Sequence, residues 1–381
     1  MQGFFRPWQV AALALLLAGT ALALVTRAGV TAQAQAVVVL STTLETPVLT
    51  WAVAQLTAEP DVGDTRIAGA ATTFVKPAGA GPWDALVIVN GAALLGRREP
   101  ALQRFVRGLG RAGYLVALPE LPGLADGRIT ERSLRAVVEI AAEMARRPDT
   151  RDGRVGLVGV SVGTTLALLA TQDPTLERRI SFVAGTAPYA DLTTLLRLAT
   201  TGTYREGSNL VPYEIDPFLA VAVARSLAAV LPPGPEREAL VAATDELDDR
   251  NRDPLASLRG ASFEGFGAEA EAVIALLRNR DPRRFDELYG ALPVAAQAAI
   301  KRLSPIENAH RLDLPVELAS APKDKYVPPS ESRSLVRGAP NARLTITSTL
   351  AHAEPEPSLG ALRDLLRFDG WVIRSLQAAA D

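Results

Sequence analysis

The sequence contains no cysteine and only two histidines, His310 and His352. The first absence excludes disulfides, thiolate metal sites and a cysteine nucleophile. The second leaves too few imidazoles for a multi-histidine metal centre. No metal and no cofactor is therefore expected. Charge of one sign is not in excess either: 40 Lys and Arg stand against 42 Asp and Glu. A nucleic-acid partner, which draws on a basic surplus, is accordingly not expected. Internal repeats and low-complexity tracts are lacking too. What is present is apolar: 48 % of the 381 residues are hydrophobic and 22 % charged. That suffices for the core of one large α/β domain with an insertion, or of two modest domains.

The N-terminus carries a targeting signal. Between Arg6 and Arg27 lie twenty uncharged residues, with an Ala/Leu/Val run over residues 10–25. A bilayer takes about 20 apolar residues to span. The reading adopted is an uncleaved signal-anchor helix, with a signal peptide as the alternative. The peptide would be cut at Ala32-Gln33-Ala34 or Ala34-Gln35-Ala36. Arg6 and the α-amino group precede the run and Arg27 alone follows it, which places the bulk of the chain outside the cytoplasm. Cleavage would instead release a secreted protein. Residues 1–36 are thus assigned to the anchor or signal and 37–64 to a connector. Within the connector, the apolar stretch 47–56 around Trp51 would lie on the membrane or on the domain.

From Thr65 the pattern becomes regular. Residues 67–75 read as an opening strand or hairpin, stopped by Pro77-Ala78-Gly79. Continuous apolar runs at 85–89, 114–118, 155–160 and 180–184 are the mark of strands buried on both faces. Helical spacing fills the intervals at 97–113, 130–147 and 162–171, with Thr130 as a cap. Such alternation implies a doubly wound, mostly parallel sheet. The rhythm breaks over residues 192–303, where only helical patterns occur, and resumes with strands at 316–319 and 342–348 and a helix at 358–379. The expected organisation is an α/β core in two parts, 65–191 and 304–381, interrupted by a helical cap, 192–303.

Chemistry concentrates at Gly159-Val160-Ser161-Val162-Gly163, where a buried strand meets a helix. A sharp strand-to-helix turn lifts a serine hydroxyl out of the sheet, and the glycines leave room for it. The helix N-terminus points N–H groups at the site, so the Val162 N–H can hold an oxyanion. A serine nucleophile needs a base, and His352 follows the last core strand, at the edge where sites of parallel sheets gather. His310 precedes the 316–319 strand and should lie at the opposite edge. The base needs an orienting carboxylate: Asp324, just after the same strand, is at the correct edge, with Asp191 as the alternative. A second oxyanion donor is expected from the loop Asn90-Gly91-Ala92-Ala93, through the Ala92 N–H with Ala93 next.

In chain order the set runs Ser161, Asp324, His352, as in α/β-hydrolases. From about Thr65 onward the chain resembles an α/β-hydrolase of the esterase and dienelactone-hydrolase-like kind. The resemblance is carried by the elbow, by the Asp324 turn with Val327-Pro328 behind it, and by His352. It implies the roles of nucleophile, acid, base and elbow oxyanion donor for Ser161, Asp324, His352 and Val162. Two departures stand out. Asn90-Gly91 occupies the place of the usual His-Gly, and the cysteine of dienelactone hydrolases proper is missing, so their substrate is not implied. The expected function is hydrolysis of a small-molecule carboxylic ester, with an apolar acyl or alkyl group suggested by the apolar cap. The same triad would also serve a peptidase or an acyltransferase. A reading of another class is a non-catalytic, membrane-tethered binding protein on a hydrolase fold.

The two histidines test topology and chemistry together. A strand is roughly 17–20 Å long, too far for a side chain at the wrong edge to reach the nucleophile. His352→Ala should therefore abolish ester turnover while His310→Ala leaves it nearly intact; a dead His310 variant would overturn both the strand order and the base.

Overall fold

The structure, a computed structural model, describes residues 27–44, 47–351, 354–355 and 362–380. Two helices open it, α1 (Arg27–Leu44) and α2 (Pro47–Leu56). The hairpin β1 (Asp61–Ile67) and β2 (Ala70–Lys76) follows, then β3 (Trp83–Val89), α3 (Pro100–Arg111), β4 (Leu115–Pro119), α4 (Glu131–Arg146), β5 (Thr150–Val160), α5 (Val162–Ala170) and β6 (Ile180–Thr186). The cap comprises α6 (Leu192–Thr201), β7 (Thr203–Glu206), β8 (Asn209–Pro212), α7 (Pro217–Ala228), α8 (Pro235–Asp245), α9 (Ala256–Gly260), α10 (Ala268–Arg278), α11 (Phe285–Gly290) and α12 (Val294–Arg302). The core resumes with β9 (Val316–Ser320), α13 (Pro329–Gly338) and β10 (Ala342–Ile346). The short strands β11 (Leu350–Ala351) and β12 (Glu354–Pro355) and the helix α14 (Leu362–Ala380) close it.

Eight strands form one sheet in the order β1-β2-β4-β3-β5-β6-β9-β10. β2 runs antiparallel to both its neighbours, and every pairing from β4 to β10 is parallel. The apolar runs explain why. Alternate residues of a strand face opposite sides, and here both sides are covered. Val87, Val89, Leu115 and Ala117 enter a core with Ile140 of α4, Leu166 of α5 and the cap. Leu86, Ile88, Val116 and Leu118 enter a second core with Val106 of α3, Ala36 of α1 and Leu376 of α14. Thr130 caps α4 as expected, in a capping box with Ser133.

Two expectations need correction. Residues 37–64 are not a connector: α1 and α2 occupy most of them, and the sheet begins at Asp61, ahead of the expected Thr65. α1 sets Ala32, Ala36 and Val39 into the second core at helical spacing. The axes approach closely because α3 offers Gly108, where a Cβ would stand 3.1 Å from the Val39 Cα. Gln35 Nε2 donates to the Ala112 carbonyl (3.1 Å), and Tyr114 Oη donates to Gln35 Oε1 (3.1 Å). Two of the small residues that resemble a cleavage motif, Ala32 and Ala36, thus serve as a packing face, while Ala34 between them is exposed. Second, the cap is not wholly helical, since β7 and β8 pair as an antiparallel hairpin about Gly207 (φ 60°) and Ser208. Of the two readings of residues 67–75, strand or hairpin, the hairpin is the one found, with its turn at Ala68-Gly69. No helix among the described residues is long and apolar enough to cross a membrane. The apolar run 10–25 lies outside them.

Candidate active site

The site is built where β5 turns into α5. Ser161 sits at that junction with φ 53° and ψ −126°. A non-glycine residue in this sparsely populated region costs on the order of 1–3 kcal/mol and persists only when its surroundings impose it. They do so here. The Ser161 N–H donates to the Thr186 carbonyl at the end of β6 (2.9 Å), and Thr164 Oγ1 donates to the same oxygen (2.9 Å). A Cβ on Gly163 would stand 1.9 Å from the Val89 carbonyl oxygen, and one on Gly159 2.3 Å from the Thr164 Cα. Only glycine lets α5 come down onto β3 and β5 at this depth. Ser161 remains half-buried while the helix behind it is wholly buried.

An eight-stranded, mostly parallel sheet bearing a strained strand–serine–helix elbow at its centre decides the architecture. The chain has the α/β-hydrolase fold. No family model matches it, and no curated protein does. Among solved structures it is similar to the acylaminoacyl peptidase of Pyrococcus horikoshii, with TM-score 0.48 and 13 % identity over 82 % of this chain and 40 % of that one. It is also similar to a putative dienelactone hydrolase from Klebsiella pneumoniae subsp. pneumoniae, with TM-score 0.44 and 13 % identity over 83 % and 99 % of the two chains. A third is the 2-hydroxy-6-oxo-6-phenylhexa-2,4-dienoate hydrolase of Rhodococcus sp. strain RHA1, with TM-score 0.39 and 15 % identity over 75 % and 90 %. The chain spans 40 % of the length of the acylaminoacyl peptidase. The assignment of the fold rests on the chain's own sheet and elbow.

Around the elbow of this α/β-hydrolase fold, the loop after β3 lies against the serine. A Cβ on Gly91 would be 3.4 Å from the Ser161 Cβ and 3.1 Å from the Val160 carbonyl oxygen. Asn90 is buried, and its Nδ2 donates to the Gly91 carbonyl (3.2 Å). That carbonyl and the Ala92 N–H belong to one planar trans peptide and point in opposite directions. Holding the first therefore sets the second. On the other side, Thr164 and Thr165 N–H groups turn back on the Ser161 carbonyl (2.9 and 3.4 Å). The Val162 N–H stands at the N-terminal end of α5, where helix geometry supplies no acceptor.

Asp324 follows β9, one strand beyond β6, at the same edge as Ser161. It is 2 % exposed although Lys323 and Lys325 beside it lie in solvent. Its Oδ1 accepts the N–H groups of Tyr326 (2.7 Å) and Val327 (2.9 Å), which fixes the carboxylate within its own turn. Asp191, the other candidate, has a structural task. Its Oδ1 caps α6 through the Thr193 N–H (2.8 Å) and also accepts from Ser304 Oγ (3.4 Å). His310 is exposed and precedes β9, at the far edge of the sheet. His352 lies outside the described residues. The chain before it leaves β10 at the Ser161 edge, and Leu350 and Ala351 pair with Pro355 and Glu354.

Three polar groups at this edge have no counterpart in the sequence reading. Tyr213, just after β8, donates its hydroxyl to the Asp324 carbonyl. Glu331 of α13 is buried, and its Oε2 accepts the Ala190 (3.0 Å) and Asp191 (2.9 Å) N–H groups where the cap departs. Burial pushes its carboxyl up to about 7. Ser304 Oγ takes the Leu192 N–H (2.9 Å) where the cap returns, and the Ile306 N–H donates to the Ala190 carbonyl (3.1 Å). The hairpin that carries Tyr213 was legible in the two-residue Gly207-Ser208 loop between strand-forming residues. Its partner was not. A cleft of about 520 Å³ is lined by cap residues alone, among them Phe263, Ile274 and Arg278, and takes in neither Ser161 nor Asp324.

The two carboxylates make a direct contrast. Asp324→Asn should lower kcat on the order of 10⁴-fold if this acid sets the base's tautomer. Asp191→Asn should instead lower thermal stability, by about 1 kcal/mol for a weakened cap, with little change in turnover. The reverse ranking, read from steady-state kinetics and melting curves, would move the acid to Asp191.

Proposed function

We propose that the chain is a serine hydrolase of carboxylic esters, with Ser161 as nucleophile, His352 as base and Asp324 as the acid that orients it. The observation that carries the reading is the strained Ser161 elbow with the Gly91–Ala92 peptide laid against it. His352 removes the Ser161 Oγ proton as the oxygen attacks the acyl carbonyl carbon. The carbonyl oxygen gains the negative charge, held by the Val162 and Ala92 N–H groups. The tetrahedral species collapses, the alcohol leaves with the proton from His352, and an acyl-enzyme remains. Water then attacks it, giving its proton to His352, which returns one to Ser161 as the acid departs.

An apolar acyl or alkyl group fits this reading. Leu94 and Leu95, directly beyond the oxyanion loop, are 80 % and 54 % exposed. The interior of the cap is apolar as well, with Leu192, Leu196, Val223, Leu227 and Ile300 around a small gap that meets the core at Ile129. The same proposal keeps the chain on the membrane through residues 7–26, with the hydrolase domain outside the cytoplasm. Retention of the N-terminus is supported by α1. A cut after Ala34 or Ala36 would remove Ala32, already seated in the core, and the cut ends would disturb the Gln35 bonds and the Val39–Gly108 contact.

Ser161 decides the first part. A fluorophosphonate should label the native protein, while Ser161→Ala should lose the label and several orders of magnitude in turnover of acyl esters of graded chain length. Unchanged turnover in the variant would end the serine-hydrolase reading. Location is decided by fractionation: the full chain should stay with membranes through a carbonate wash, since a spanning helix holds by apolar burial. A soluble mature form beginning at Gln35 or Val37 would show cleavage instead.

A further inference from the structure

The cap touches the catalytic acid from outside the core. Tyr213 follows β8 and donates its hydroxyl to the backbone carbonyl of Asp324, and the Asp216 N–H donates to the next carbonyl, that of Lys325 (2.7 Å). The turn so gripped is the one whose Tyr326 and Val327 N–H groups fix Asp324 Oδ1. Both carbonyls at the front of the acid turn are therefore held by the cap, and the N–H groups at its back hold the carboxylate.

We propose that Tyr213 is a positioning residue for the acid: its hydroxyl holds the Asp324 carbonyl and thereby sets the aim of the Asp324 carboxylate. The inference rests on the triad reading above. Tyr213 is itself well placed for the task. Its N–H donates to the Gly202 carbonyl (2.8 Å) at the foot of the hairpin, and its ring meets Tyr204 edge-on at 5.6 Å. Burial, with the Asp324 and Tyr204 side chains nearby, pushes the hydroxyl up to about 12, so it keeps its proton and remains a donor at every working pH. An acid serves a triad by holding the base in one tautomer and orientation. A displacement of about 1 Å can cost on the order of 10²-fold in rate. The cap therefore does more than cover the substrate, because the geometry of the acid depends on the hairpin being seated.

Tyr213→Phe tests this, since it keeps the ring and its contact with Tyr204 and removes only the hydroxyl. Turnover of a p-nitrophenyl ester is measured per active site, with sites counted by fluorophosphonate titration so that misfolded protein drops out. The expected result is a fall in kcat of about tenfold, the worth of roughly one net hydrogen bond, with KM nearly unchanged. In an Asp324→Asn background, the same change should cost almost nothing, because the group it positions is already gone. A rise in KM at constant kcat, or a loss that adds fully to that of Asp324→Asn, would overturn the positioning role and leave the triad standing. A native protein that takes no fluorophosphonate label at Ser161 would overturn the triad reading, and this inference with it.

Discussion

The descent of α5 onto the ends of β3, β5 and β6 is the constraint on which the rest depends. At the junction there is no room for a Cβ at Gly159 or Gly163, and a single carbonyl, that of Thr186, accepts both the Ser161 N–H and the Thr164 hydroxyl. These contacts hold Ser161 at a positive φ that it would not adopt alone. The strain has a use. It stands the hydroxyl clear of the sheet, at the N-terminal end of a helix, with the Gly91–Ala92 peptide beside it. Asn90 adds to the arrangement from a distance of one residue, by fixing the far end of that peptide. The placement of Ser161, the proposed nucleophile, and of the N–H groups proposed to hold its oxyanion follows from one packing event.

The cap is joined to the core by polar groups. Glu331, Ser304, Ala190 and Asp191 knit its two stems together where they leave and re-enter the sheet edge. A buried carboxyl with two N–H donors is costly to orphan, since an unmade buried hydrogen bond carries the full desolvation penalty. This argues for stems of fixed position. The hairpin of β7 and β8 extends the same logic to the acid turn through Tyr213 and Asp216. Core and cap thus both bond the Asp324 turn, its own N–H groups holding the carboxylate and the cap holding the carbonyls.

The N-terminal helix shows how one composition can serve two ends. Ala and Gln at alternate positions read as a processing motif in a linear sequence, because signal peptidases accept small residues. In the fold, Ala32 and Ala36 of that stretch enter the core, Gly108 of α3 admits Val39, and the Gln35 amide is bonded on both sides. The first α/β layer is completed by a segment that precedes the sheet by more than a strand's length.

The centre of the sheet was legible in the sequence, because strands buried on both faces are continuously apolar, and such runs lie where β3, β4, β5 and β6 form. The sequence also determined the elbow, whose glycines and serine are adjacent in the chain, and the edge on which Asp324 falls, which follows from strand direction alone. The α/β-hydrolase resemblance came from these local features. What only the tertiary structure shows is how the surroundings of Asp324 and Asp191 differ. Both are carboxylates after parallel strands, and what separates them is that Asp191 caps a helix while Asp324 is buried in a turn of its own. The tertiary structure likewise shows the place of α1 and the bond from Tyr213 to the Asp324 carbonyl. Those contacts join residues 77 to 111 positions apart, and a pairing at that separation leaves no periodic mark in the chain: it is specified by shape and hydrogen bonding that exist only once the sheet has brought both partners together.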